Sequence, residues 1–442
     1  MRLPRSAFGW LVAKEFRELT ASASWWVLLV AIGPLVGVTF ISAARTYAEA
    51  SGLNGTSVGV GEAFSPLVGI WSPTFSACEV AAVFLLPFVA IRLVAGDQQS
   101  GALKIEAQHP MPPIVRVVAK VLVLIGAWIV ASLAPFAAVL LWRQYGGHVH
   151  VPELITVAIG HLLNAGLTVA LAAAAAAMTE HPSTAAIFTL AVTVGTWVLN
   201  FIAAVQGGFW ETAAGYTPPA MIAEFQHGLI RLDAVLISLA FIATGMALAA
   251  IGLRHGVSVR RRLHESLTLA AATAAVVFAC TFVHSSWDLS ENRMNSFAQA
   301  DEAALENVHS PLYMEVNLAP EDPRRADLEH KAIAKLRRVL PKVHVSYQSA
   351  SSIGLFEQTS PHYGEIWYEI EGRRRMSRAT TAESALENIY ELAGVAPPVE
   401  GQDGIFRGYP LAVYPNGAAT VFYGIWPAVM TAVALLVNRR QR

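Results

Sequence analysis

Eight stretches of this chain are apolar over close to the ~20 residues that a helix needs to cross the hydrocarbon core of a bilayer. They run from Trp25 to Ser42, Phe75 to Val94, Val118 to Trp142, Leu154 to Met178, Ala185 to Val205, Ala234 to Leu253, Leu267 to Val283 and Thr420 to Val437. The fourth contains the alanine run Ala172 to Ala177, which alone would suit a soluble alanine-rich helix; its seven companions outweigh that reading. Only Thr179 to Ser183 separate the fourth and fifth runs, and Pro182 there suits a tight helical hairpin, stopping one helix and starting the next. Charged residues are 14% of the chain, against about 25% in ordinary soluble domains. That deficit excludes a disordered or nucleic-acid-coating chain, and a formal charge of -1 leaves no global basic character. Cys78 and Cys280 lie in separate apolar stretches, so they read as small buried hydrophobes, not as a disulfide or a metal site. The expected fold is an α-helical integral membrane protein of about eight transmembrane helices.

Lys and Arg in short loops are held on the cytoplasmic side. Arg2, Arg5, Lys14 and Arg17 precede the first run, and Arg92, Lys104, Arg116 and Lys120 follow the second. Arg254 and Arg260 to Arg262 follow the sixth, and Arg439, Arg440 and Arg442 follow the eighth. With eight spans all four clusters fall on one side, facing only Arg45, Arg143 and Arg231 in the short loops opposite. Both termini are therefore expected in the cytoplasm, with the chain multi-pass in its membrane. Ala48-Glu49-Ala50 resembles a signal-peptide cleavage site, but the apolar core before it is too long and Glu15 and Glu18 precede it. Phe8, Leu11, Val12, Phe16 and Leu19 have helical spacing, which predicts an interfacial helix on the cytoplasmic surface.

Residues from about Ser285 to Ala418 are polar and proline-punctuated, enough chain for one small extracytoplasmic α/β domain between the last two helices. Asn295 or Ser296 is expected to cap a helix running through Val308. Leu312, Met314, Val316 and Leu318 alternate as a strand, and Asp322-Pro323 starts a helix with Leu328, Ala332, Leu336, Val339 and Leu340 on its apolar face. Val343, Val345 and Tyr347 predict a second strand, and Ile366, Tyr368 and Ile370 a third. Glu371-Gly372 reads as a turn and Thr381 to Leu392 as a helix. The expected division is thus 1–255 for six spans, 256–284 for a basic loop and the seventh, 285–418 for the α/β domain and 419–442 for the eighth span and a basic tail.

The stretch joining the second and third runs is the most informative. It reads Phe84-Leu85-Leu86-Pro87, then Arg92-Leu93-Val94-Ala95-Gly96-Asp97-Gln98-Gln99-Ser100-Gly101-Ala102-Leu103-Lys104, then His109-Pro110. Gly96 and Gly101 favour tight turning, and Asp97, Gln98, Gln99 and Ser100 offer polar contacts to a partner surface. The two glycines have P-loop spacing, yet Ala102 stands where a P-loop requires lysine and no soluble strand precedes them. The stretch resembles the ABC-2 type permease family, as do Tyr216-Thr217-Pro218-Pro219, Phe225, Gly228-Leu229-Ile230 and Asp233-Ala234-Val235-Leu236, and the opening Lys14-Glu15-Phe16-Arg17. The resemblance covers roughly residues 10 to 255. Asp97 departs from the family's usual glutamate and Ala102 from its frequent threonine. Trp287-Asp288-Leu289-Ser290, Tyr363-Gly364 and Tyr368-Glu369-Ile370-Glu371-Gly372 resemble, more loosely, the external domain of the gliding-motility ABC transporter membrane proteins.

What the resemblance implies is a permease subunit of an ATP-driven exporter. A separate cytoplasmic ABC ATPase would hold the ATP, and this chain would bind no cofactor and catalyse nothing. A second permease subunit would complete a homo- or heterodimer, and the domain would meet an envelope protein or cargo. Glu15, Arg17, Gly96, Asp97, Gln98, Gln99, Ser100 and Gly101 would couple to the ATPase. Glu79 and Asp233 are candidates for a transport pathway, since ionisable groups in apolar spans are functional suspects. A span beginning later would instead put Glu79 at the outer interface. His148, His150 and Glu153 alternate as metal ligands do, but two histidines are not a site and an ordinary polar loop is the better reading. Arg373 to Arg375 and Arg378 suit a charged hairpin beside Glu369 and Glu371, with an anionic ligand or lipid as the alternative. No His-Glu-x-x-His, Gly-x-Ser-x-Gly or paired-cysteine motif is present, which weighs against an intramembrane enzyme. A rival of another class is a non-transporting envelope assembly or anchoring protein on the same fold.

The topology is open to direct labelling. Single cysteines at Ser310 and Ser377 are expected to react with an impermeant thiol reagent in intact cells stripped of any outer barrier. Labelling only after lysis would rule out the eight-span orientation.

Overall fold

Proline and serine set where the long apolar runs break. The computed structural model describes the chain apart from residues 1–4, 54–64, 107, 109–110, 207–208, 255, 321, 341, 348–361, 399–405 and 442. Arg2, His109-Pro110 and Arg442 therefore lie outside the described residues. Helix α1 (Arg5–Ala21) precedes α2 (Ala23–Ala48). The second apolar run, expected as one helix, is two placed end to end, α3 (Ser72–Phe84) and α4 (Leu86–Gln99). Pro87, which lacks an N–H and crowds the preceding turn, accounts for the break at Leu85. A short connector, α5 (Ala102–Glu106), leads to the third run. That run divides into α6 (Pro113–Ala131) and α7 (Leu133–Gln144) at Ser132, whose hydroxyl donates back to the Trp128 carbonyl at 2.9 Å, with Pro135 following. Then come α8 (Val151–Met178), α9 (Pro182–Gln206), α10 (Phe209–Ala214), α11 (Pro218–Gln226), α12 (Leu232–Gly252) and α13 (Val259–Cys280). With the segment Thr420–Arg439, eight helical stretches among the described residues are long and apolar enough to cross a membrane.

The alanine run sits at the centre of the bundle. Ala172 to Ala177 are all buried, because α12 meets α8 through glycines. A Cβ on Gly245 would lie 2.9 Å from Ala170, and one on Gly252 would lie 2.7 Å from the Ala177 carbonyl oxygen. Small residues on both helices let the backbones approach where larger ones would hold them apart. The outer helices α9 and α13 differ, leaving Ile187, Phe188, Phe201, Leu263, Leu267 and Phe278 exposed. An apolar rim of that extent needs lipid or another protein surface beside it.

Helix direction alternates along the chain. In consequence α1, the end of α4, α5, the start of α6 and the end of α8 gather at one end of the bundle, with a small sheet domain at the other. Its junction is a two-stranded antiparallel ribbon, β1 (Leu229–Arg231) with β2 (Ser286–Asp288), in the register Ile230 to Trp287. Beyond it lie α14 (Gln299–Leu305), β3 (Leu312–Val316), α15 (Pro323–Leu328), α16 (Ala334–Val339), β4 (Val343–Tyr347), β5 (Ile366–Ile370), β6 (Arg373–Ser377) and α17 (Ala382–Ala393). The sheet order is β4-β3-β5-β6, with β3 and β4 parallel and the other pairs antiparallel. One face buries Leu312, Met314, Val316, Ile366, Tyr368 and Ile370 against Leu328, Ile333, Leu336 and Ile389 of the helices. The chain then enters α18 (Trp426–Gln441), whose Trp426 indole donates to the Leu29 carbonyl at 2.7 Å.

One expectation for this domain is corrected. The helix expected from Asn295 or Ser296 to Val308 is only α14, and neither residue caps it. Asn295 instead donates from its amide to the His227 carbonyl at 2.7 Å, tying the domain to the bundle. The arginines Arg373 to Arg375 do lie in the charged hairpin expected beside Glu369 and Glu371, where they form its second strand, β6. Its turn has Glu371 at φ 52° and Gly372 at φ 77°, the two positive values that a tight two-residue hairpin requires.

Asp322 caps α15 as expected, accepting the Arg324 N–H at 2.9 Å. Hydrogen bonding from the Arg324 guanidinium outweighs the smaller effect of burial and, with the Tyr363 hydroxyl, holds its carboxyl down at about 2. A depressed carboxylate contributes stability that is complete above its ordinary pKa near 4 and is lost as the pH falls through the folded value. Asp322→Ala should raise amide exchange across residues 323–340 about five-fold at pH 7, the equivalent of a cap worth ~1 kcal/mol. The difference between variant and wild type should fade as the pH drops from about 4 towards 2, as hydrogen-exchange mass spectrometry of the whole chain in detergent can show.

Candidate functional site

The end of the bundle away from the sheet domain holds a buried ionic network. Leu11, Glu15 and Leu19 lie one turn apart on α1 and are all buried, so the helix face that packs on the bundle carries a carboxylate between two leucines. Lys120 of α6 reaches this carboxylate, its Nζ lying 2.7 Å from Glu15 Oε2, 2.5 Å from Asp97 Oδ2 and 3.0 Å from the Leu93 carbonyl. From the other side Lys14 contacts Asp97 Oδ1 at 2.9 Å and Glu106 Oε1 at 2.5 Å, with Glu18 at 3.2 Å. Arg116 donates to the Glu106 carbonyl at 2.7 Å. Four elements, α1, α4, α5 and α6, are thereby joined, through a Lys120–Glu15–Asp97 core that water barely reaches and a half-buried Lys14 that extends it to Glu106.

Electrostatics explains why the charges coexist. Glu15, Asp97 and Glu106 place carboxylate oxygens within 4.8 Å of one another, an arrangement that would repel strongly without cations between them. The Lys14 and Lys120 ammonium groups supply these. Burial disfavours the Lys14 ammonium, but the Glu106 and Asp97 carboxylates outweigh it and raise its pKa above lysine's ordinary value. Burial pushes the Glu15 carboxyl upward, against the pull of Lys120.

The sequence reading treated this end differently. Asp97 is not a surface contact: it is buried and paired within the chain. Gly96 makes no turn, because α4 continues to Gln99, and the turn falls at Gly101 with φ 76°. Gln99 and Ser100 are exposed, Gln98 is half-buried with its amide 3.5 Å from the Ala177 carbonyl, and Arg17 is exposed on the outer side of α1. Lys14 and Lys120 read as two members of solvent-facing clusters, and Glu106 drew no notice. Their signal was there, since Lys120 falls four residues after Arg116 inside an apolar run, where a lysine needs a carboxylate partner. Beside the network opens a cleft of about 630 Å³ lined by Glu18, Ser22, Arg92, Gly96, Gln99, Ser100 and Pro182.

Glu79 lies in the middle of the Leu67–Gln99 stretch, not at its edge. It borders a cavity of about 370 Å³ between α3, α8, α9 and α12, with Asn164, Thr168, Thr193, Thr196, Trp197, Tyr216 and Thr244. Trp197 lines the same cavity as this carboxylate. Asp233 is elsewhere, buried at the start of α12 and held by Nε and Nη2 of Arg231, whose Nη1 reaches Glu224 at 2.5 Å. The structure therefore separates the two pathway candidates. Comparison of the chain with protein-family models, with curated proteins and with solved structures yields no significant match.

Removing one partner of a buried ionic network leaves the others uncompensated, at a cost of ~3–5 kcal/mol. Lys120→Met should therefore lower thermal stability in detergent sharply, and adding Glu15→Gln and Asp97→Asn to it should restore most of the loss. Thermal unfolding of the single and triple variants measures both effects.

Proposed function

We propose that the chain is the permease subunit of an ATP-driven exporter of ABC-2 type, working as a dimer with a separate cytoplasmic ATPase. The observation that carries this reading is the ionic network of Lys14, Glu15, Asp97, Glu106 and Lys120. It makes α1, the end of α4, α5 and the start of α6 one stiff body directly beneath the exposed turn at Gln99 to Gly101. A partner pushing on that turn moves the body as a unit, because buried ion pairs yield abruptly and not by gradual stretching. Asp97 thus acts inside the lever, and Gln99 and Ser100 supply the surface that meets the ATPase.

The Glu79 cavity supports transport over mere anchoring. Its walls are mostly apolar, with threonine hydroxyls and one carboxylate among them, which suits an amphipathic cargo whose polar or cationic part meets Glu79. Alternating closure of the network end and the sheet-domain end would move such a cargo across. In this reading the eight long helices cross the inner membrane, both termini are cytoplasmic, and the sheet domain is extracytoplasmic, where it meets an envelope protein or cargo.

The test is Gly101→Pro in the full-length chain, reconstituted with its ATPase in liposomes. Proline cannot adopt the positive φ at this position, so coupled ATP hydrolysis should fall at least ten-fold while membrane insertion and thermal stability hold. Full coupling in the variant would show that the turn is only a connection.

A further inference from the structure

We propose that His150, Glu153 and Glu291 form a binding site for one divalent cation of the zinc class, at the junction between the helix bundle and the sheet domain. The site does not depend on the transport reading. Sequence alone offered His148, His150 and Glu153 in one loop; the fold adds Glu291, 138 residues further on, whose backbone N–H donates to Glu153 Oε1 at 2.8 Å. The His150 nitrogen and one oxygen from each carboxylate lie within 4.8 Å of one another, with His150 Nδ1 3.9 Å from Glu153 Oε1. Zinc bound at ~2.0–2.2 Å sets its ligand atoms about 3.4 Å apart, so small side-chain rotations close the set.

Three further observations favour a cation. The His150 Nδ1 is buried without a hydrogen-bond partner, which is costly for an imidazole nitrogen unless something accepts its lone pair. Glu153 is buried and lies beside Glu291, yet among the described residues no lysine or arginine forms an ion pair with either carboxylate, only His148 and His150. At the opposite end of the bundle the comparable carboxylate group is filled by two lysines. Glu291 is also held by the Tyr409 hydroxyl on Oε1 at 2.7 Å and by His148 Nε2, 3.1 and 2.9 Å from its two oxygens, and the His148 ring stacks on Tyr409 at 3.7 Å. Such outer contacts are what orient metal-ligating carboxylates.

The donor set selects the metal class. One imidazole nitrogen with two carboxylates suits zinc or a similar first-row ion, and the nitrogen disfavours calcium and magnesium. Three protein ligands leave a position for water. Because Glu291 follows β2 and Tyr409 lies on the strand of chain returning to the last long helix, the bound ion would fasten both ends of the sheet domain to α8.

The experiment uses the full-length chain in detergent, purified without a polyhistidine tag and stripped with EDTA. Zinc chloride alone, followed by calorimetry, should bind one ion per chain, and cobalt chloride should give the visible spectrum of a four- or five-coordinate site. His150→Ala and Glu291→Gln should each weaken binding at least ten-fold, and His309→Ala, a histidine outside the site, should leave it unchanged. Glu291→Gln keeps the size and hydrogen-bonding shape of the side chain, so it decides the matter if His150→Ala proves unstable. Absence of a stoichiometric zinc site in the wild type, or equal binding in Glu291→Gln, would overturn the proposal and leave a plain hydrogen-bonded junction.

Discussion

An ammonium group removed from water is stable only where carboxylates replace its hydration, and Lys120 meets that condition by bringing α1, α4 and α6 together. Coulomb attraction at these distances is several times stronger in a poorly polar interior than in water, and the desolvation it must offset is equally large. The pairing therefore adds less to net stability than to uniqueness of arrangement. Glu15 has one place to be, and the α1 helix is fixed with it, as Asp97 fixes the end of α4 and Glu106, through Lys14, fixes α5. The exposed turn at Gln99 to Gly101 inherits that rigidity, which is what the proposed coupling role requires.

Close helix contact is the second constraint. Gly245 and Gly252 let α12 lie against the alanines of α8 without displacing either backbone, and this tight pair leaves the cavity beside Glu79 to be enclosed by α3 and α9. The cavity is polar at only a few points, so its chemistry comes down to the Glu79 carboxylate, the Asn164 amide, the Trp197 and Tyr216 side chains and threonine hydroxyls. At the other end the sheet domain is held by the ribbon of β1 and β2, by Asn295 on the His227 carbonyl, and by the Tyr47 hydroxyl on the Tyr409 carbonyl at 2.9 Å. Several independent attachments of this kind restrain a domain more than a single linker would.

Much of the architecture was legible before any coordinates. Apolar run length gave the eight long helices, and period-two alternation located β3, β4 and β5, because both signals depend only on burying one face of a local element. The breaks at Leu85 and Ser132 were less visible, since an apolar run looks the same whether or not its helix is continuous. Strand β6 was legible only as one arm of a charged hairpin, because its arginines sit on a solvent-facing edge where Arg374 pairs with Glu315 and Glu369. Asn295 looked like a helix cap because side-chain type alone does not say which carbonyl an amide will reach.

Charge was where local reading failed, and the reason is physical. A lysine or glutamate is solvated by default, and only a partner distant in sequence can make its burial tolerable. Lys120 meets Glu15 from 105 residues away, and Glu153 meets Glu291 from 138 away. The sequence by itself determined that the chain forms long apolar helices and a small sheet domain, because the hydrophobic pattern and turn residues act over a few neighbours. Only the tertiary structure decided which charges are buried together, that Glu79 borders a cavity while Asp233 is paired with Arg231, and that His150 and two glutamates converge, because those outcomes depend on distances that folding creates.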